Sequence, residues 1–186
     1  MIAIRYFFIL VCLTALFSCE NDLEKVKLYS KGKTSPQESA KNIKIFYSDS
    51  ARLEVEITSP LLNRYETENP YVEMPKGFHA TFYDDKLEVK SKLQADYGIR
   101  FEREQKMEAK KNVSVVNQKG DILNTEHLIW DERKEKLYSK DFVKITTKDE
   151  IIYGNGFEAN QDFTKYKIFN IKGIITLNNE KHVKDS

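Results

Sequence analysis

Beyond residue 42 the chain alternates between apolar and polar positions. Leu53, Val55 and Ile57 alternate with Arg52, Glu54 and Glu56, and Phe78, Ala80 and Phe82 occupy every second position. The longest run keeps Leu87, Val89, Ser91, Leu93, Ala95, Tyr97, Ile99 and Phe101 in step, with mostly charged or polar residues between them. A helix would bring apolar residues three and four apart, so a period of two predicts strands with one buried face. Further strands are predicted from residue 43, around Val113 and Val115, over 122–130, around Val143 and Ile145, and over 165–177. Turn signals fall at Lys119-Gly120-Asp121, Lys148-Asp149-Glu150 and Gly154-Asn155-Gly156. No amphipathic helix is predicted after residue 40, so residues 42–177 should form one all-β domain.

An internal repeat runs through this domain. Met107 to Val113 aligns with Leu137 to Val143, and again with Ile168 to Ile174. Each unit gives an apolar residue, a polar step and a second apolar strand start. Arg100 and Trp130 stand seven residues before the first apolar position of the first two units, and Tyr65 stands seven before Val72 in a weaker copy. A period near thirty suggests stacked β units, each burying its apolar face against the next.

The N-terminus follows a different pattern. Residues 1–5 carry one positive charge, and 6–17 are apolar apart from Thr14. A helix of that length rises about 18 Å, short of a hydrocarbon core of about 30 Å. The segment therefore reads as a secretory signal. Leu16-Phe17-Ser18-Cys19 resembles the bacterial lipoprotein signal box, in which the Cys is acylated and becomes the new N-terminus. An ordinary secretory signal cut near Ser18 is the other reading. Residues 1–18 are expected as a lipoprotein signal peptide, 19–41 as a polar tether in which 22–29 could form a short helix, and 178–186 as a polar tail. Cys12 would leave with the signal and Cys19 would carry the lipid anchor. The mature chain would then hold no disulfide and no cysteine for catalysis or metal binding.

Composition changes this picture little. Charged residues are 32%, the formal net charge is +1, and ten Tyr and eleven Phe accompany only seven Gly and four Pro. The near-zero charge gives no reason to expect a nucleic-acid partner. The three histidines, His79, His127 and His182, lack a second His at ligand spacing, and no metalloprotease, P-loop or nucleophile-elbow motif occurs. His79 is expected to be exposed in its strand, and Asp84 and Asp85 read as a hairpin turn. No catalytic residue, metal site or cofactor is expected.

The stretch Glu126-His127-Leu128-Ile129-Trp130-Asp131, then Lys136-Leu137-Tyr138-Ser139, Val143-Lys144-Ile145 and Tyr153-Gly154-Asn155-Gly156-Phe157, resembles the LptC family and its relatives LptA and the N-terminal domain of LptD. Residues 166–173 resemble the C-terminal strand region of Bacteroidetes LptC. The resemblance covers about 42–177 and implies an open, twisted β-jellyroll. The best-known members keep an uncleaved transmembrane helix, where this chain has a lipoprotein box.

The resemblance implies a non-enzymatic role: binding lipopolysaccharide acyl chains and passing them from an inner-membrane ATP-driven transporter to LptA. Residues expected to face the apolar interior as core or lipid contacts are Leu53, Val55, Phe78, Phe82, Leu93, Ile99, Met107, Val113, Val115, Ile129, Leu137, Val143, Ile145, Phe157 and Ile168. Lys110, Lys111 or Lys140 could meet lipid phosphates. Unpaired strand edges supply partner sites. The C-terminal edge over 165–175, with Tyr166, Phe169, Ile171 and Ile175, is implied for LptA. The N-terminal edge over 42–47, with Ile43, Ile45 and Tyr47, is implied for the LptB/LptF/LptG complex. The implied location is the periplasmic face of the inner membrane through Cys19, with outer-membrane sorting left open. The alternative is a β-rich surface lipoprotein that binds glycans or serves as an envelope scaffold.

Overall fold

The computed structural model describes residues 35–49 and 51–177. The expected signal peptide, the expected tether up to residue 34, Cys19, His182 and the expected tail lie outside the described residues. Twelve strands follow one another: β1 (Glu38–Asp49), β2 (Arg52–Tyr65), β3 (Tyr71–Met74), β4 (Phe78–Tyr83), β5 (Val89–Ala95), β6 (Tyr97–Phe101), β7 (Lys106–Asn117), β8 (Ile122–Asp131), β9 (Lys136–Thr146), β10 (Glu150–Asn160), β11 (Tyr166–Ile168) and β12 (Ile171–Thr176). All pairings are antiparallel. The described residues contain no helix. The fold is all-β, as the alternation predicts, and open and jellyroll-like, as the family resemblance implies.

The long strands bend in the middle, and each half pairs with different neighbours. In β7, residues 114–117 pair with β5 whereas 106–110 pair with β6. In β10, residues 150–154 pair with β12 and 157–159 with β11. The halves assemble two facing sheets. Sheet I holds β4, β5, β12 and one half of each long strand; sheet II holds β3, β6, β11 and the other halves. The bends carry register shifts at Lys110/Val113, Thr125/Ile129 and Asn155/Phe157. Left-handed residues sit there too, including Lys111, Asn112 and Gly156, as bulges require. The inner faces meet in one core, where Phe82 of sheet I packs edge-on against Trp130 of sheet II at 5.2 Å.

The bends correct three expectations. The run 87–101 is not one strand, because it breaks at Asp96, whose N–H donates to the Lys111 carbonyl at 3.0 Å. Leu87 lies in the β4–β5 turn with φ 63° and is exposed. Gly154-Asn155-Gly156 is the bulge inside β10, not a turn. A Cβ at Gly154 would come within 2.7 Å of the Phe169 carbonyl oxygen, so glycine lets the β11–β12 connection pass close. That connection also splits the expected strand over 165–177 into β11 and β12, with Asn170 left-handed between them. Strand β1 starts at Glu38, ahead of residue 42.

The repeat maps onto the fold. Met107 and Leu137 face the interior of sheet II, opposite Arg100 and Trp130, while Val113 and Val143 face the interior of sheet I. In the weaker copy, Arg64 rather than Tyr65 stands opposite Val72.

Small hydroxyls satisfy backbone groups freed at the bends. Buried Thr125 donates to the Phe142 carbonyl at 2.9 Å, and the Asp141 N–H donates to Ser139 Oγ at 3.1 Å. Thr125→Val keeps the shape but leaves that carbonyl without its hydroxyl donor. Urea unfolding is expected to show a loss of about 1–3 kcal/mol.

Candidate functional site

The interior opens at the end bounded by β1. There a cavity of about 280 Å³ lies between the sheets. Ile45, Tyr47 and Ile57 line it from sheet I, and Leu62, Val72, Met74 and Met107 from sheet II. Strand pairing brings these residues together: Ile45 stands opposite Ile57, and Tyr47 opposite Val55. Ile45 and Tyr47 are only partly buried, so the core ends at this edge with accessible apolar side chains.

Charged groups ring the apolar floor in pairs. Arg100 holds Glu132 through two hydrogen bonds of 2.6 and 2.8 Å, and its guanidinium lies 5.5 Å from the Tyr47 ring centre. Arg64 bonds Glu102 at 3.2 Å. Donating to the Glu132 carboxylate raises the Arg100 pKa, against the opposing effect of burial. Burial also raises the Tyr47 pKa, while nearby Arg100 lowers it. Glu38 also lines the cavity and Glu66 lies 3.9 Å from Arg64, so carboxylates outnumber the two guanidinium groups around it. The floor of the cavity is apolar, and apolar surface buried there would contribute about 25 cal/mol per Å².

The far end mirrors the mouth. Tyr166 and Ile168 are the partly buried residues that close the core at β11. Phe169, Ile171, Ile174, Ile175 and Leu177 stand exposed on and beside β12. The β1 and β12 edges each have a strand partner on one side only.

The residues expected to face the interior divide into three groups. Val55, Phe78, Phe82, Leu93, Met107, Val113, Val115, Leu137, Val143, Ile145 and Phe157 are buried core. Leu53 and Ile168 face inward but are only half buried. Ile99 and Ile129 point the other way: both stand opposite Glu108 on the outer face of sheet II. The bends at Asp96 and after Thr125 exchange the inner and outer faces of these chain segments. Of the expected edge residues, Ile43, Ile45 and Tyr47 line the inner side of β1, and Tyr166, Phe169, Ile171 and Ile175 fall on the β11–β12 edge. Leu62, Val72 and Met74 of the mouth were not among the expected residues.

Polar groups elsewhere are engaged structurally. His79 is exposed. His127 sits 3.2 Å from Glu108 and 3.7 Å from Asp141 on the outer surface. Burial opposes ionisation of Glu108, but Lys110 at 2.7 Å and His127 hold its pKa below the ordinary carboxylate value. Asp84 caps its turn by accepting the Lys86 and Glu88 N–H groups, each at 2.8 Å. Among the described residues no group of three or more His, Cys, Asp or Glu is placed to hold a metal ion.

The LptC family model, described as lipopolysaccharide-assembly, LptC-related, matches residues 7–175. The match extends well ahead of the strands, into the apolar N-terminal segment. No curated protein matches the chain.

Proposed function

The chain belongs to the LptC-related family of lipopolysaccharide-assembly proteins, and its role lies in lipopolysaccharide transport; from that premise we propose that it is a non-enzymatic carrier whose two sheets shelter the acyl chains. It receives lipopolysaccharide from an inner-membrane ATP-driven transporter and passes it to an LptA-like protein. The observation that carries this reading is the apolar cavity at the β1 end, open between the sheets and floored by Ile57, Leu62, Val72 and Met107. Fatty chains need burial more than hydrogen bonds, and each CH₂ removed from water contributes about 0.8 kcal/mol.

The β1 edge faces the LptF and LptG side of the transporter, and the β12 edge receives LptA by strand addition. Lipid on Cys19 holds the carrier at the periplasmic face of the inner membrane, and the residues between Cys19 and the start of β1 at Glu38 form the tether. A photoreactive residue at Val72 is expected to capture lipopolysaccharide in cells, in an ATP-dependent manner. Depletion of the protein should trap lipopolysaccharide in the inner membrane. Normal export after depletion would overturn the reading, as would the absence of capture at Val72.

A further inference from the structure

The two sheets are joined by continuous backbone at the strand bends and by side chains along the opposite, open side. On that side the connector between β10 and β11 reaches from sheet II to sheet I. Its root lies in sheet II, where Trp130 Nε1 donates to Gln161 Oε1 at 3.3 Å. It meets sheet I three times: Ser91 Oγ of β5 donates to the Gln161 carbonyl at 3.5 Å, and two further contacts lie at the tip. Asn117 Nδ2, at the sheet I end of β7, donates to the Phe163 carbonyl at 3.0 Å. Lys90 of β5 lies 3.7 Å from Asp162.

Phe163 itself is 0% exposed and has φ 53°. A bulky side chain in the left-handed region is held there only by its surroundings. Its ring packs against Phe157 at 5.8 Å and Tyr166 at 5.1 Å. It thus occupies apolar interior near the end remote from the mouth. The mouth cavity, about 280 Å³, falls just short of the range of about 300–1,000 Å³ usual for small-ligand sites. A lipid with several acyl chains needs more room. The side without continuous backbone is where the sheets can part, and two neutral hydrogen bonds, one of them long, and a partly exposed ion pair are weak fastenings.

We propose that residues 160–165 form a latch: Phe163 fills the β11 end of the interior in the unloaded carrier, and an arriving acyl chain displaces it, frees Asn117 and lets the sheets separate. This rests on the lipid-carrier reading above. The test uses the full chain and lipopolysaccharide in detergent micelles, with a photoreactive residue at Val72 or at Ile168. Capture at Val72 is expected in every form. Capture at Ile168 should be weak in the parent and several-fold stronger in Asn117→Ala and in Phe163→Ala. Should Phe163→Ala fail to fold, Asn117→Ala carries the comparison. Amide exchange over 160–165 in the parent should speed up when lipopolysaccharide is added. Capture at Val72 with equal capture at Ile168 in all forms, or unchanged exchange, would overturn the latch and leave the carrier standing. Capture at neither position would overturn both.

Discussion

Phe157→Ala is expected to destabilise the domain by about 3–5 kcal/mol, through lost burial and the cavity left behind. Phe157 is 1% exposed and is the common neighbour of Phe163 and Tyr166. Its removal takes the support from the β11 end of the core, and neighbours held in continuous strands can collapse into the gap only partly. The melting temperature should fall by about 10 °C or more. Phe142→Ala is the matching control. Phe142 is 54% exposed and stacks only on Tyr153 at 5.9 Å, so its truncation should cost about 1 kcal/mol or less. Calorimetry on the two variants checks the contrast. Equal losses would mean that the core does not extend to β10 as described.

Those two phenylalanines also mark how far the sequence is legible. Phe142 lies on the strand that alternation predicts around Val143 and Ile145, whereas Phe157 lies on β10, where Gly154-Asn155-Gly156 reads as a turn and no strand is predicted. Alternation is a local property, however, and the bends are not. The period over 87–101 continues unbroken through Asp96, although the backbone turns from one sheet into the other there. Ile99 was therefore expected inward and stands outward, and Ile129 did the same after the bulge in β8. Gly154 and Gly156 carry the ordinary signals of a turn, and glycine marks a bulge with the same residue type. The repeat was legible because cross-strand pairing imposes it: Met107 and Leu137 occupy equivalent inner positions.

The mouth was harder to read. β3 has only four residues, too few to establish a period around Val72 and Met74. Phe163 lies among Asp162, Thr164 and Lys165, a polar connector by composition. Its burial comes from residues far away in the chain, such as Asn117, and no local pattern reports them. The family resemblance supplied the kind of fold and the role in transport, but not which side chains stand at the opening.

Ile174→Pro is expected to abolish strand addition at the C-terminal edge while leaving the domain folded. The Leu177 N–H donates to the Asp149 carbonyl at 2.7 Å, and Ile175 stands opposite Ile151 in the same register. Antiparallel pairing alternates the direction of backbone groups, so odd-numbered residues of this strand bond to β10 and the N–H groups of Lys172, Ile174 and Thr176 face the free edge. Proline at 174 removes one outward donor, and its ring obstructs an incoming strand there. It takes no hydrogen bond from β10, and an edge strand is where proline is tolerated. Each net hydrogen bond contributes about 0.5–1.5 kcal/mol, and an added strand loses neighbouring bonds along with the first. Affinity for an LptA-like partner should fall about tenfold or more, with little change in melting temperature. Ile175→Pro, which removes an inward donor, should instead loosen β12 itself and lower thermal stability. If Ile174→Pro bound the partner as tightly as the parent in a pull-down or calorimetric titration, strand addition at β12 would be excluded, and the carrier would have to hand on its cargo through another surface.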